Sequence, residues 1–103
     1  MFYALRLSLK AEQDIDALYA YLSDVSPERA DALARVLLQT IQDVARGPHR
    51  WAFFRLTGAP NRARLIRVGH MTIWLIYAIN ERDRSVDILR LWNSRQDPSK
   101  LKD

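Results

Sequence analysis

Arg62-Ala63-Arg64-Leu65-Ile66-Arg67-Val68-Gly69-His70-Met71-Thr72-Ile73-Trp74-Leu75-Ile76-Tyr77-Ala78-Ile79 reads as two strands joined by a turn or bulge at Gly69-His70. In its second half Met71, Ile73, Leu75, Tyr77 and Ile79 alternate with Thr72, Trp74, Ile76 and Ala78, the period of a strand. Both sets are largely apolar, so this strand is central and covered on both sides, by helices on one and by something else on the other. After it, Asn80 to Arg84 is a polar loop and Ser85 to Trp92 a last strand. Residues 94–103 are polar, contain Pro98 and are expected to form a flexible C-terminal tail.

Upstream the period changes. Ala30, Leu33, Ala34, Leu37, Ile41, Val44 and Ala45 follow one helical stripe. Ser26-Pro27-Glu28 starts it as N-cap, first-turn proline and first-turn acid, and Gly47-Pro48 stops it. Before that, Ala11, Ile15, Leu18, Tyr19 and Leu22 recur at helical spacing, with Glu12, Asp14 and Asp16 suited to the positive helix end. Ser23-Asp24-Val25 is read as the break, so about three residues join two antiparallel helices. Residues 3 to 9 set Tyr3, Leu5, Leu7 and Leu9 against Ala4, Arg6 and Ser8, a half-buried strand. Trp51 to Leu56 alternates like a short strand or extended segment, and Thr57 to Asn61 is a turn cluster. The fold class that follows is α+β: an N-terminal strand, then an antiparallel helical hairpin packed on a mainly antiparallel sheet of three to four strands.

The chain has 103 residues, enough for a single domain over 1–103. With no cysteine there is no disulfide framework, thiolate nucleophile or thiolate metal site, and two distant His make a structural metal site improbable. No metal and no cofactor are expected. The longest uncharged run, 68–80, is too short to span a bilayer as a helix, and the N-terminal residues do not read as a secretory leader. A cytoplasmic protein without a membrane partner is expected.

The net charge of +4 is unevenly spread. Residues 1–43 carry seven acids against four bases, whereas 44–80 carry no acid and Arg46, Arg50, Arg55, Arg62, Arg64 and Arg67. Arginine's planar fork suits phosphate, and an acid-free arginine stretch is the footprint of a nucleic-acid or acidic-protein partner. Ordinary solvated faces are the plain alternative. Trp51, Phe53, Phe54, Trp74 and Trp92 interleave with Arg50, Arg55 and Arg90, which permits base stacking beside phosphate contacts. The plain reading is that most of these aromatics fill the core, with Trp51 or Trp92, near strand ends, left exposed for a partner to bury.

Three stretches together resemble the RelE/ParE superfamily of bacterial type II toxins. Ala11-Glu12-Gln13-Asp14-Ile15-Asp16-Ala17-Leu18-Tyr19-Ala20-Tyr21 is similar to the family's A-x-x-D-[IL]-x-x-[IL]-x-x-Y first helix. Arg67-Val68-Gly69 running into Ile76-Tyr77-Ala78-Ile79 is similar to its central strand. Val86-Asp87-Ile88-Leu89-Arg90-Leu91-Trp92-Asn93-Ser94-Arg95-Gln96-Asp97-Pro98 is similar to its V-x-I-L-x-[IVL]-x-H-x-R-x-D-P ending. The resemblance implies a toxin held inactive by a cognate, acidic antitoxin that wraps along its surface. One branch cleaves messenger RNA in the ribosome; the ParE-like branch inhibits DNA gyrase.

Metal-free RNA cleavage needs a base for the 2′-hydroxyl, an acid for the leaving oxygen and cations on the phosphate. By resemblance, Arg64 and Arg67 are candidate phosphate clamps, Arg95 matches a late arginine, and His70 is a candidate imidazole. The late histidine position reads Asn93, which cannot transfer a proton, and the central-strand arginine has no match. His70 and His49 read better as exposed turn residues with no task, and Tyr77 as a core aromatic with one hydrogen bond. The loss of acid–base groups favours the branch that acts by binding. The candidate target- or phosphate-binding set is then Arg50, Arg55, Arg62, Arg64, Arg67, Arg90, Asn93 and Arg95, with Trp51 and Trp92 as candidate antitoxin contacts. A ribosome-dependent endoribonuclease, a degenerate non-toxic member and a plain nucleic-acid-binding module stay open as alternatives.

Overall fold

A computed structural model describes residues 2–51 and 61–93. The elements run β1 (Ala4–Leu7), α1 (Leu9–Val25), α2 (Pro27–Arg46), a 3-10 turn (Pro48–Arg50), β2 (Arg62–Val68), β3 (Met71–Asn80) and β4 (Ser85–Asn93). The four strands form one sheet in the order β1-β4-β3-β2. β2–β3 and β3–β4 pair antiparallel, and β1 pairs parallel to β4. Two helices on a mostly antiparallel sheet is the α+β architecture expected.

The core lies between the helices and one face of the sheet. Leu22 of α1 and Leu33, Leu37 and Val44 of α2 meet Ile66, Ile73, Leu75, Val86, Ile88 and Leu91. Tyr77 is fully buried there, and its hydroxyl donates to the Pro48 carbonyl, as a core aromatic should. On the other face Ala63, Ile76 and Trp92 form a smaller buried cluster with Trp74 against it. β3 is therefore covered on both sides. A register shift in β4 places Ile76 opposite Arg90 but Tyr77 opposite Ile88, leaving Leu89 as a bulge. That extra residue changes the phase, so Val86, Ile88 and Leu91 all face the helices.

The joint between the helices is shorter than expected. α1 continues through Ser23-Asp24-Val25, because none of these is a Gly or Pro that would interrupt it. Ser26 alone closes α1 and opens α2: its N–H donates to Leu22 O, and its Oγ accepts from Arg29 N. Ser8 belongs to the start of α1 and not to the strand. Its Oγ accepts from Ala11 N as N-cap and donates to the bulged Leu89 carbonyl at 2.8 Å. The half-buried N-terminal strand is also corrected. β1 is an edge strand that the helices do not cover, leaving Leu5 and Leu7 39% and 43% exposed. Leu9 is exposed at the first position of α1. Tyr19 and Ala34 fall off the buried stripes and Thr40 falls on one. The expected extended segment at 52–56, the turn at 57–60 and the tail at 94–103 lie outside the described residues. Among the described residues no helix is long and apolar enough to cross a membrane.

Candidate functional site

Strand pleating decides what the arginines can do together. Arg64 pairs across β3 with Leu75, so it lies on the helix side of the sheet; Arg67 pairs with Thr72 and lies on the other side. Arg64 stacks over the Trp51 ring at 5.1 Å and donates to Leu65 O, with its Nε buried and without a hydrogen-bond partner. Arg50 covers the same ring at 5.7 Å. Arg62 donates to the Trp51 carbonyl at 2.7 Å and to that of His49 at 3.3 Å. Arg50, Arg62 and Arg64 thus converge on one half-buried tryptophan. Trp51 packs against the core, and only part of it is available to a partner.

The remaining candidates lie elsewhere. Arg67 and His70 are exposed near the β2–β3 turn and have no hydrogen-bond or ionic partner among the described residues. Arg90 is drawn into the fold: Nε and Nη2 donate to the two carboxylate oxygens of Asp14 at 2.8 and 3.2 Å, and its guanidinium lies over Trp92. Asp14, read from sequence as complementing the helix end, instead reaches the sheet and also accepts from Leu91 N at 3.0 Å. The expectation of an exposed Trp92 fails. Trp92 is only 3% exposed, because the β4 bulge turns it into the second apolar cluster. Asn93, half-buried, closes β4, and Arg55 and Arg95 lie outside the described residues.

Two groupings escaped sequence reasoning. At one end of the sheet Glu81, in the turn after β3, accepts from the Tyr3 hydroxyl at 3.1 Å and is hydrogen-bonded to His49 Nε2. The His49 hydrogen bond holds the Glu81 carboxyl below the ordinary glutamate value. Partial desolvation and the same carboxylate push the Tyr3 phenol up. The partners are 32 and 78 positions apart, so no local spacing announces them. At the opposite end, α1, the start of α2 and the β2–β3 turn enclose a cleft of about 410 Å³. Leu18, Leu22, Val68 and Met71 form its apolar floor, and Arg29, His70 and Asn93 stand among its lining residues. The missed signal was the helical spacing of Tyr21 and Val25, both left exposed beside the cleft.

Comparison with known proteins gives this arrangement a family. No curated protein matches the sequence. The fold is similar to that of a solved chromosomal ParDE toxin–antitoxin system from P. aeruginosa, at 17% identity and TM-score 0.66, covering 89% of this chain and 96% of that one. It is also similar to the RelBE2 toxin–antitoxin complex from Mycobacterium tuberculosis, at 22% identity and TM-score 0.59, covering 90% and 99%. At these identities the likeness is one of fold. A family model described as the ParE toxin of type II toxin–antitoxin systems matches residues 5–98. With nearly the whole chain inside that match, the protein belongs to the ParE toxin family.

Proposed function

We propose that this toxin is neutralised by a cognate acidic antitoxin and arrests growth by binding a large target, DNA gyrase in the ParE manner, without cutting RNA. The observation that supports binding over cleavage is the divergence of Arg64 and Arg67 to opposite faces of the sheet. Two cations that cannot reach one phosphate are no clamp for a scissile bond. Arg64 is moreover occupied by Trp51, and the late position that would carry an imidazole is Asn93. The cations that remain, Arg50 and Arg62 around Trp51 on one face and Arg67 on the other, suit docking to an anionic partner. The proposed partner is acidic because the toxin's 44–80 stretch is wholly basic in its charged residues. Localisation in the cytoplasm follows from such a target.

Induced expression in a bacterial host separates the readings, with growth, transcript ends by primer extension and supercoiling by purified gyrase followed together. Growth arrest with intact transcripts and loss of supercoiling is the expected result. New cuts within translated codons would instead establish a ribosome-dependent endoribonuclease. Unimpaired growth would mark a degenerate, non-toxic member.

A further inference from the structure

We propose that the free edge of β1 is a self-association surface, where a second copy of this chain lays its own β1 antiparallel and the two sheets become one.

The backbone of β1 is satisfied on one side only. Ala4 and Ser8 donate towards β4, to Arg84 O and Ile88 O, both at 2.9 Å. Alternate residues of a ladder turn the other way, so the N–H and C=O groups of Leu5 and Leu7 point out from the edge. Their side chains lie on the helix side, opposite Val86 and Ile88, and stay 39% and 43% exposed. Phe2 and Leu9, which flank the strand, are exposed as well. An open edge lined with large apolar side chains, and carrying neither proline nor lysine, is a template for pairing.

A second copy fits that template in one register. With Arg6 on the two-fold axis, Leu5 of each copy stands opposite Leu7 of the other. The two residues exchange their outward N–H and C=O groups, none is left over, and the leucines of both copies meet on the helix side. Moving the axis to Leu5 would set Leu7 against Tyr3, whose N–H is already given to Ala45 O. On the other face Arg6 meets Arg6, a like-charge contact that needs carboxylates around it. They are there. Arg6 Nη2 lies 3.4 Å from Asp83 Oδ2, and Asp87, beside Arg6 on β4, has a buried carboxylate oxygen with no hydrogen-bond partner. This excess of acid over Arg6 suits an incoming arginine and opposes an acidic segment, which favours a second copy as the occupant. The other copy's Arg6 starts about 10 Å, two strand spacings, from the Asp87 backbone, a gap the two side chains close. The contact is short, so dimers are expected at about 10–100 µM chain.

The test follows the purified full chain, without any partner, by sedimentation velocity from about 1 µM to about 1 mM, with a shift from monomer to dimer expected. Leu7→Lys, at an exposed position, is expected to weaken association at least about 10-fold. Leu38→Lys, on an exposed leucine of α2, should change it less than about twofold, and circular dichroism checks that both variants fold. The chain has no cysteine, so single cysteine variants report the register. On mild oxidation Arg6→Cys is expected to form a covalent dimer, because facing residues of a non-hydrogen-bonded pair lie about 4.5 Å apart at Cα, within disulfide reach. Leu5→Cys, displaced along the strands from its own counterpart, and Leu38→Cys are expected to stay uncrosslinked. A native chain that remains monomeric throughout would overturn the pairing. So would a Leu7→Lys variant that associates like the native chain, or oxidation that crosslinks Leu38→Cys as fast as Arg6→Cys.

Discussion

Asp14 carries more of the fold than any other single carboxylate among the described residues. It bridges α1 to β4 through Arg90 and the Leu91 N–H, at the part of β4 beyond the end of β1, where the strand edge would otherwise lack a partner. Both side chains of the pair are largely shielded from water. Asp14→Ala removes the two-point pair with Arg90 and the acceptor of the Leu91 N–H together, so it is expected to cost about 2–3 kcal/mol in urea unfolding. Glu12→Ala, on an exposed position of the same helix, should stay within about 0.5 kcal/mol. Glu81 supplies a pH signature. Its carboxyl titrates below the ordinary glutamate value because His49 bonds the ionised form. The stability it contributes is therefore present above the unfolded-state glutamate value and is lost as pH falls through the lowered one. Thermal unfolding across the acid range should show that loss in the native chain and a smaller one in Glu81→Gln. Neither contact was legible in the sequence, for the same reason. A helix acid and a turn histidine each have an adequate local reading, whereas their real partners are set by how distant elements stack. Tyr77 was legible, because an aromatic in the middle of an unbroken apolar strand has only one place to go.

The element scale is where sequence and structure agree best. Ser26-Pro27-Glu28 and Gly47-Pro48 bound α2 where the punctuation indicates, since caps and prolines act through their immediate backbone. The end of α1 was not legible: no breaker precedes Ser26, and one residue serves both helices. Its two duties are separable. The backbone N–H that closes α1 survives any substitution except proline, and only the hydroxyl that caps α2 is chemically special. Ser26→Ala is thus expected to cost about 1 kcal/mol, and Ser26→Asp to restore it, in chemical denaturation. The exposed Leu5 and Leu7 show the limit of alternation as evidence. The pattern sorts a strand's two faces correctly but cannot say whether a helix lies over that part of the sheet. The phase change at Leu89 is a limit of the same kind, because a bulge leaves no residue-type signature and moved Trp92 from an expected rim to the interior.

At the scale of the molecule, the arginine stretch that dominates the composition is partly consumed by the fold. Arg62 holds the carbonyls of His49 and Trp51, and Arg64 and Arg50 both lie against the Trp51 ring. Charge counted along the chain therefore overstates the charge offered to a partner, and it cannot show that Arg64 and Arg67 diverge. That divergence needs the register of β2 on β3, which the sequence implies only once the turn at Gly69-His70 is fixed. The order of strands has a further consequence, one of timing. β1 is made first and β4 last, yet they lie side by side, with Ser8 tied to Leu89 across 81 positions. While the nascent chain is growing, the helices have no finished sheet to settle on, and the pairing with the longest loop to close forms only after β4 emerges. The ribosome that makes this chain thus holds an unfinished sheet for nearly the whole of its synthesis, and the first strand waits for the last before either is in its final place.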